Sequence, residues 1–194
     1  SSPRKLIREG ANLLGGRALR FELFPLVYPE IPDFDLFRAL SHGMLPRHYM
    51  ASNPAGMHRS YIGDYLKEEI AQEAISRNLH AFSGFLAAAA FSNGEMVNFS
   101  NIARDCGVSN YTVKEYFQIL TDTLVGKFIP SYQKRPKRRV IMAPKFYFFD
   151  LCIVNSLLNR KSIQFPSELF GRAFEQFIFQ ELVAHSHYSN IHYT

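Results

Sequence analysis

The spacing of apolar positions is helical through most of this chain and becomes alternating just after Gly126, and that change of period sets the expected architecture. A short amphipathic helix is predicted from Phe34 to Ser41, ending near Gly43, and Pro46, Asn53, Pro54 and Gly56 punctuate the loop that follows. A long helix is expected from about His58 to Ile75, where Tyr61, Ile62, Tyr65, Leu66, Glu69, Ile70 and Glu73 repeat at helical spacing. Another covers Leu79 to Phe91 and leads into the turn Ser92-Asn93-Gly94. Past Gly126, KFIPSYQ and VIMAPKFYFF predict two strands around the loop QKRPKRR, with Pro144 confining the start of the second to an edge or bulge. Asp150 then opens a short helix, and a longer one runs from about Pro166 to His187. Ahead of these elements, SSPRKLIREG reads as a short helix and RALRFELFPL as a strand with nothing before it to pair with. The chain therefore reads as the back portion of something longer, and its last residues, NIHYT, as the start of a further strand.

The most informative stretch is Asn98 to Leu120, NFSNIARDCGVSNYTVKEYFQIL. Ala103 stands where a first short helix must let a second approach closely. Gly107, four residues on, suits the left-handed conformation of a tight turn, and Val113 is the apolar plug between the helices. Ser100 is a cap for the first helix, and Ser109 or Asn110 for the second, because their short side chains accept free N–H groups. Ile102, Val108, Tyr116, Phe117 and Leu120 form the inward face; Asn110, Tyr111, Thr112, Lys114 and Glu115 remain outside as a recognition surface. Glu115 counts against tight phosphate contact there.

Charge sharpens this picture because of where it lies. Nine Lys or Arg and a single acid, Asp150, fall between Lys127 and Lys161, so this segment carries more than the whole chain's formal charge of +5. Concentrated cations attract phosphate through counterion release, whereas a solvated hairpin tip is the plainer account of the same residues. Two strands flanking that basic loop, directly after a recognition helix, make a winged helix-turn-helix. Lys134, Arg135, Lys137, Arg138 and Arg139 are its phosphate contacts, with Thr112 and Lys114 nearer the groove of a DNA duplex.

Composition narrows the class. The chain has 194 residues, 47% of them hydrophobic, enough for a sizeable core in one or two small domains. No apolar run reaches the roughly 18 residues that a membrane crossing needs; the best, AFSGFLAAAAF from Ala81, reads as a buried helix. No signal-peptide pattern opens the chain. Cys106 and Cys152 lie far apart in apolar helical contexts, which suggests two buried thiols in a reducing cytoplasm. His185, His187 and His192 cluster near the end without a cysteine or acid at ligand spacing, so no metal site is expected. No nucleophile elbow or Ser-His-Asp order supports a free-standing enzyme.

Several stretches together resemble prokaryotic AAA-type ATPases of the archaeal-ATPase-like group, whose nucleotide-binding core precedes a domain containing a winged helix. They are SSPRKLIREGANLLGGRAL, FELFPL, HGMLPRHY, YIGDYLKEEI, the helix-turn-helix, PKFYFFDLCIVNSLL and GRAFEQFIFQEL. The resemblance implies Ser1 or Ser2 as a γ-phosphate sensor and Arg4 and Arg17 as phosphate or neighbour contacts. It implies ATP and magnesium for an intact parent and neither for this chain, which has no GxxxxGK loop to cradle phosphates and no acidic strand end to hold magnesium. It also implies that GRAFEQFIFQEL opens a restriction-endonuclease-like fold with Glu175 as its first-helix carboxylate. One carboxylate does not fix a divalent cation, so a surface or helix-pairing role for Glu175 outweighs a catalytic one.

The expected fold is thus mainly α with a small β component, a helical bundle plus a winged helix-turn-helix. It divides into an ATPase trailing edge with the core's last strand (1–30), a helical linker or lid (31–78), the winged helix-turn-helix (79–150) and the start of a nuclease-like module (151–194). The expected function is a regulatory, DNA-binding portion of a cytoplasmic AAA-type ATPase, not itself catalytic. Its partners would be double-stranded DNA and the ATPase core of the same protein, with self-association open and no membrane. The alternative is a protein-interaction or lid module that couples nucleotide state to a partner, for which Tyr111, Tyr132 and Tyr147 would be exposed anchors.

Overall fold

In a computed structural model, residues 22–52, 79–131 and 143–189 are described. They are mainly helical, with a two-stranded antiparallel sheet. The first helix, α1 (Leu36–His42), starts later than its apolar pattern suggests because Asp35 caps it, its carboxylate accepting the Arg38 N–H at 3.2 Å. Gly43 ends α1 at φ 81°, and a Cβ there would collide with Asp150 Oδ1. The short α2 (Pro46–Tyr49) follows, with proline at its first position.

The next described helices are α3 (Leu79–Phe91), α4 (Phe99–Cys106) and α5 (Asn110–Asp122). Strand β1 (Gly126–Ile129) stops at Pro130, which has no N–H to extend a ladder, and pairs antiparallel with β2 (Lys145–Phe148) from Gly126↔Phe148 to Ile129↔Lys145. On its other side β2 meets the segment after the 92–94 turn. Gly94 N–H donates to Phe146 O at 2.8 Å and Val97 N–H to Pro144 O at 2.9 Å. Pro144 thus precedes the strand and contributes only its carbonyl, the one group it can offer to a ladder. Helix α6 (Leu151–Leu157) is capped by Asp150, as its sequence predicts. The final α7 (Glu168–Ser189) begins two residues past Pro166, where the Ser167 hydroxyl accepts the Phe170 N–H at 3.0 Å.

Two cores result. One lies between α3, α4, α5, the inner face of the hairpin and Cys152, Ile153 and Val154 of α6, centred on Phe82, Phe85, Val113, Phe117, Leu120 and Phe146. The other gathers Leu40, Met44, Tyr49, Leu151, Ala173 and Phe177 from α1, α2, the link between them, α6 and α7. Helix α7 covers the opposite face of β2, so Tyr147, expected outside, is buried and stacks on Phe179 with ring centroids 4.3 Å apart. A second correction concerns Cys106, which is half-buried rather than enclosed because it ends α4 beside Gly107; Cys152 is buried as expected. The predicted strand RALRFELFPL does not form over its described half, residues 22–26, which run as irregular chain: Pro25 has no N–H for a ladder, and the Leu26 N–H donates to Met44 O at 2.9 Å. Its first half, the helix from His58 to Ile75, Tyr132 and NIHYT lie outside the described residues.

Candidate nucleic-acid interface

Helices α4 and α5 meet at a turn whose geometry follows from three residues. Gly107 takes the left-handed conformation at φ 65°, and the Val108 N–H donates back to Ala103 O at 3.0 Å. Ala103 and Val113 are 5% and 0% exposed, so the small side chain and the plug sit in the shared core. The first cap differs from expectation. Asn98, not Ser100, accepts the Asn101 N–H at 3.0 Å, because the helix starts at Phe99, two residues earlier than a Ser100 cap implies. Ser100, displaced from that role, accepts a hydrogen bond from Asn110 Nδ2 at 3.2 Å and ties the start of one helix to the start of the next. Ser109 caps α5 as expected, accepting the Thr112 N–H at 3.1 Å.

The outer residues of α5 divide by what already holds them. Thr112 shares a 2.8 Å hydrogen bond with the Ser109 hydroxyl, so its Oγ1 is engaged in the cap. Lys114 lies with its ammonium 5.7 Å from the Phe99 ring centre, against an open groove lined by Met96, Asn98, Phe99, Ser100, Asn110 and Ala143. Tyr111 is 70% exposed, and a hydrogen bond with Glu115, one turn on, holds its phenol above the usual tyrosine range. Farther along, Gln118 Nε2 donates to Asp122 Oδ1 at 2.6 Å. The Tyr111–Glu115 pair, one turn apart, is visible as spacing in the sequence; the cap is ambiguous there because Asn98 and Ser100 are equally good capping residues and both stand ahead of Ile102.

The hairpin lies beside this unit. Its last register pair, Ile129↔Lys145, closes the end from which residues 132–142 continue. Lys134, Arg135, Lys137, Arg138 and Arg139 belong to that segment and lie outside the described residues, as do Ser1, Ser2, Arg4 and Arg17. Ala143, next to it in the chain, lines the groove that Lys114 also borders.

Glu175 sits away from this face, on α7 against β2. Its Oε1 accepts from Lys145 Nζ at 2.7 Å and from Tyr147 Oη at 2.6 Å. The hydrogen bond from Lys145, then that from Tyr147, holds the Glu175 carboxyl below the usual carboxylate range; burial and the same carboxylate push the Tyr147 phenol up. The carboxylate is therefore engaged in joining helix to strand. Among the described residues no group of three or more His, Cys, Asp or Glu is placed to hold a metal ion, and no helix is long and apolar enough to cross a membrane.

Residues 33–164 match the family described as Domain of unknown function (DUF8612), and the chain belongs to that family. It is 24% identical over 190 residues to the uncharacterized proteins Mb2031c of Mycobacterium bovis and Rv2008c of Mycobacterium tuberculosis. The alignment covers 95% of this chain and 43% of each of them, so the chain spans less than half the length of the curated relatives it matches. No solved structure matches it.

Proposed function

We propose that α3, α4, α5 and the β1–β2 hairpin form a winged helix that binds double-stranded DNA, as the regulatory portion of a larger AAA-type ATPase. The observation that carries this reading is the pairing of β1 with β2. KRPKRR, five cations in six residues, falls between two strands packed on α5, where Phe128 and Phe146 meet Phe117. Such a loop reaches phosphates beside a helix that faces the bases, the division of labour between affinity and readout that duplex recognition uses. Nucleotide hydrolysis belongs, on this reading, to a parent protein with a phosphate loop. A longer protein of this kind that neither binds nor hydrolyses ATP would remove that part of the reading.

The test is a titration of random-sequence duplex at several salt concentrations. Changing Arg138 and Arg139 together to Ala should weaken binding and flatten the slope of log K against log salt by roughly 2, about 0.9 for each phosphate that the protein no longer neutralises. An unchanged slope would take the hairpin out of the interface.

A second reading, a protein-docking or lid module without nucleic acid, is favoured by one observation: the outer stripe of α5 is led by an exposed aromatic and carries Glu115 and Asp122. Absence of duplex binding even at low salt would support it.

A further inference from the structure

Under the duplex reading, the exposed face of α5 must present something to the bases, and the side-chain geometry leaves few candidates. Asn110 is tied to Ser100, Thr112 to Ser109, Gln118 to Asp122, and Lys114 leans toward the Phe99 ring. The other exposed pair on the first two turns is Tyr111 and Glu115, one turn apart, and a carboxylate that accepts from the Tyr111 hydroxyl keeps acceptor capacity on its second oxygen. Glu115 is an acceptor only, so it gains nothing from phosphate and is repelled by it. A carboxylate on such a surface is tolerable where it meets a donor, and the donors on a major-groove edge are the exocyclic amines of cytosine and adenine. Adenine places its N7 acceptor beside that amine, which opposes the second carboxylate oxygen. Cytosine N4 has no such neighbour on its own ring.

We infer that Glu115 is the base-reading residue of this protein, accepting a hydrogen bond from a cytosine N4 amine in the major groove, with Tyr111 as the positioning residue that holds the carboxylate in place. The inference rests on the duplex reading proposed above. It gives the two residues least suited to phosphate contact a task that suits them, and it separates specificity, on α5, from affinity, in the basic loop. The carboxylate lowers affinity for every duplex through its charge and restores it selectively at the sites that offer the amine.

The experiment is selection of bound duplexes from a randomised library by the 194-residue chain and by its E115Q, E115A and Y111F variants, with thermal unfolding of each as a folding control. The wild type should enrich cytosine at one position by roughly tenfold, the scale of one good base contact. E115Q should move that preference to adenine, because a side-chain amide pairs with adenine N6 and N7 together. E115A should lose the preference while binding random duplex more tightly than the wild type, since a like charge has gone. Y111F, which keeps the ring and removes the hydroxyl, should blunt the cytosine preference. Identical base preferences in wild type and E115Q, or a wild type that binds with a steep salt slope and no preference, would overturn the role of Glu115 and leave the duplex reading intact. A wild type that binds no duplex at low salt would overturn both.

Discussion

The two halves of this molecule are held in different ways. In the unit of α3, α4, α5 and the hairpin, the centre is a set of rings: Phe117 lies 4.9, 5.7, 5.3 and 4.8 Å from the centroids of Phe85, Phe99, Phe128 and Phe146. In the half built from α1, α2 and α7, and on α6, which the two cores share, the recurring feature is a buried polar side chain that bonds to distant backbone. Asp150 accepts the Met44 N–H at 2.8 Å and the Cys152 N–H at 2.7 Å. Asn155 Nδ2 donates to both Leu40 O and Ser41 O at 2.9 Å, and Gln176 Nε2 to Phe148 O at 2.9 Å. Ring packing depends on buried area and shape and tolerates small rotations. A buried polar contact has a direction and a partner, and is costly when the partner is missing. Each half has an apolar core, and in the second the polar stitches additionally fix how segments far apart in sequence sit on one another.

That contrast breaks most sharply at Phe117, which is fully buried. Phe117→Ala should destabilise the protein by about 3–5 kcal/mol, the range for emptying a phenylalanine site that cannot collapse. This is a large share of the roughly 5–15 kcal/mol that holds a domain of this size. Denaturant unfolding measures the loss, and hydrogen exchange locates it. Faster exchange should spread through α3, α4, α5, the hairpin and α6, whose Cys152, Ile153 and Val154 share this core, and be weaker in α1 and α7. A uniform increase over all the described helices would show that the two cores unfold as one unit and that the distinction is only architectural.

Asp150→Ala tests the other half and should cost roughly 2–4 kcal/mol, because two buried N–H groups lose their acceptor and α6 loses its cap. Asp150→Asn keeps one side-chain oxygen and should cost less. Exchange should rise first at Met44 and over α6, with the ring-packed unit protected. Equal stability of wild type and the alanine variant would mean that water replaces the carboxylate without cost, and the stitch would carry no weight.

The ring-packed unit is the more legible of the two from the sequence, and the reason is local. Ala103, Gly107 and Val113 work through spacings of four and six residues, and the hairpin announces itself by a change of period within twenty. The longest polar stitches join residues more than one hundred positions apart, Asn155 with Leu40 and Asp150 with Met44, and no periodicity encodes such a pair. Asp150 is recognisable as a helix cap from its place before an apolar run, yet its second bond is not. Tyr147 misleads for a related reason. Strand alternation puts it opposite the core of the hairpin, and only the arrival of α7 from later in the chain turns that outer face into a buried one. In the candidate interface, the Asn110–Ser100 link is equally illegible, because it depends on which residue caps α4.

The smallest effect should lie at the seam between the halves, where Glu175 of α7 meets Lys145 and Tyr147 of β2. Because the hydrogen bond from Lys145, and next that from Tyr147, lowers the carboxyl below its ordinary value, the folded protein holds the proton less tightly than the unfolded chain does. The stabilisation is then fully present above the unfolded carboxyl's range, near about pH 4.3, and fades as pH falls through the depressed folded value. The Glu175 side chain is 53% exposed, so solvent screening keeps the contribution below about 1 kcal/mol. Wild type and Glu175→Gln, compared by urea unfolding from about pH 7 down to about pH 3, should differ most at neutral pH and converge in acid, and added salt should narrow the gap at neutral pH. Parallel pH profiles would reduce the ion pair to a coincidence of position. A gap well above about 1 kcal/mol would instead make this seam a structural joint, and the two halves would have to be treated as mechanically coupled through one carboxylate.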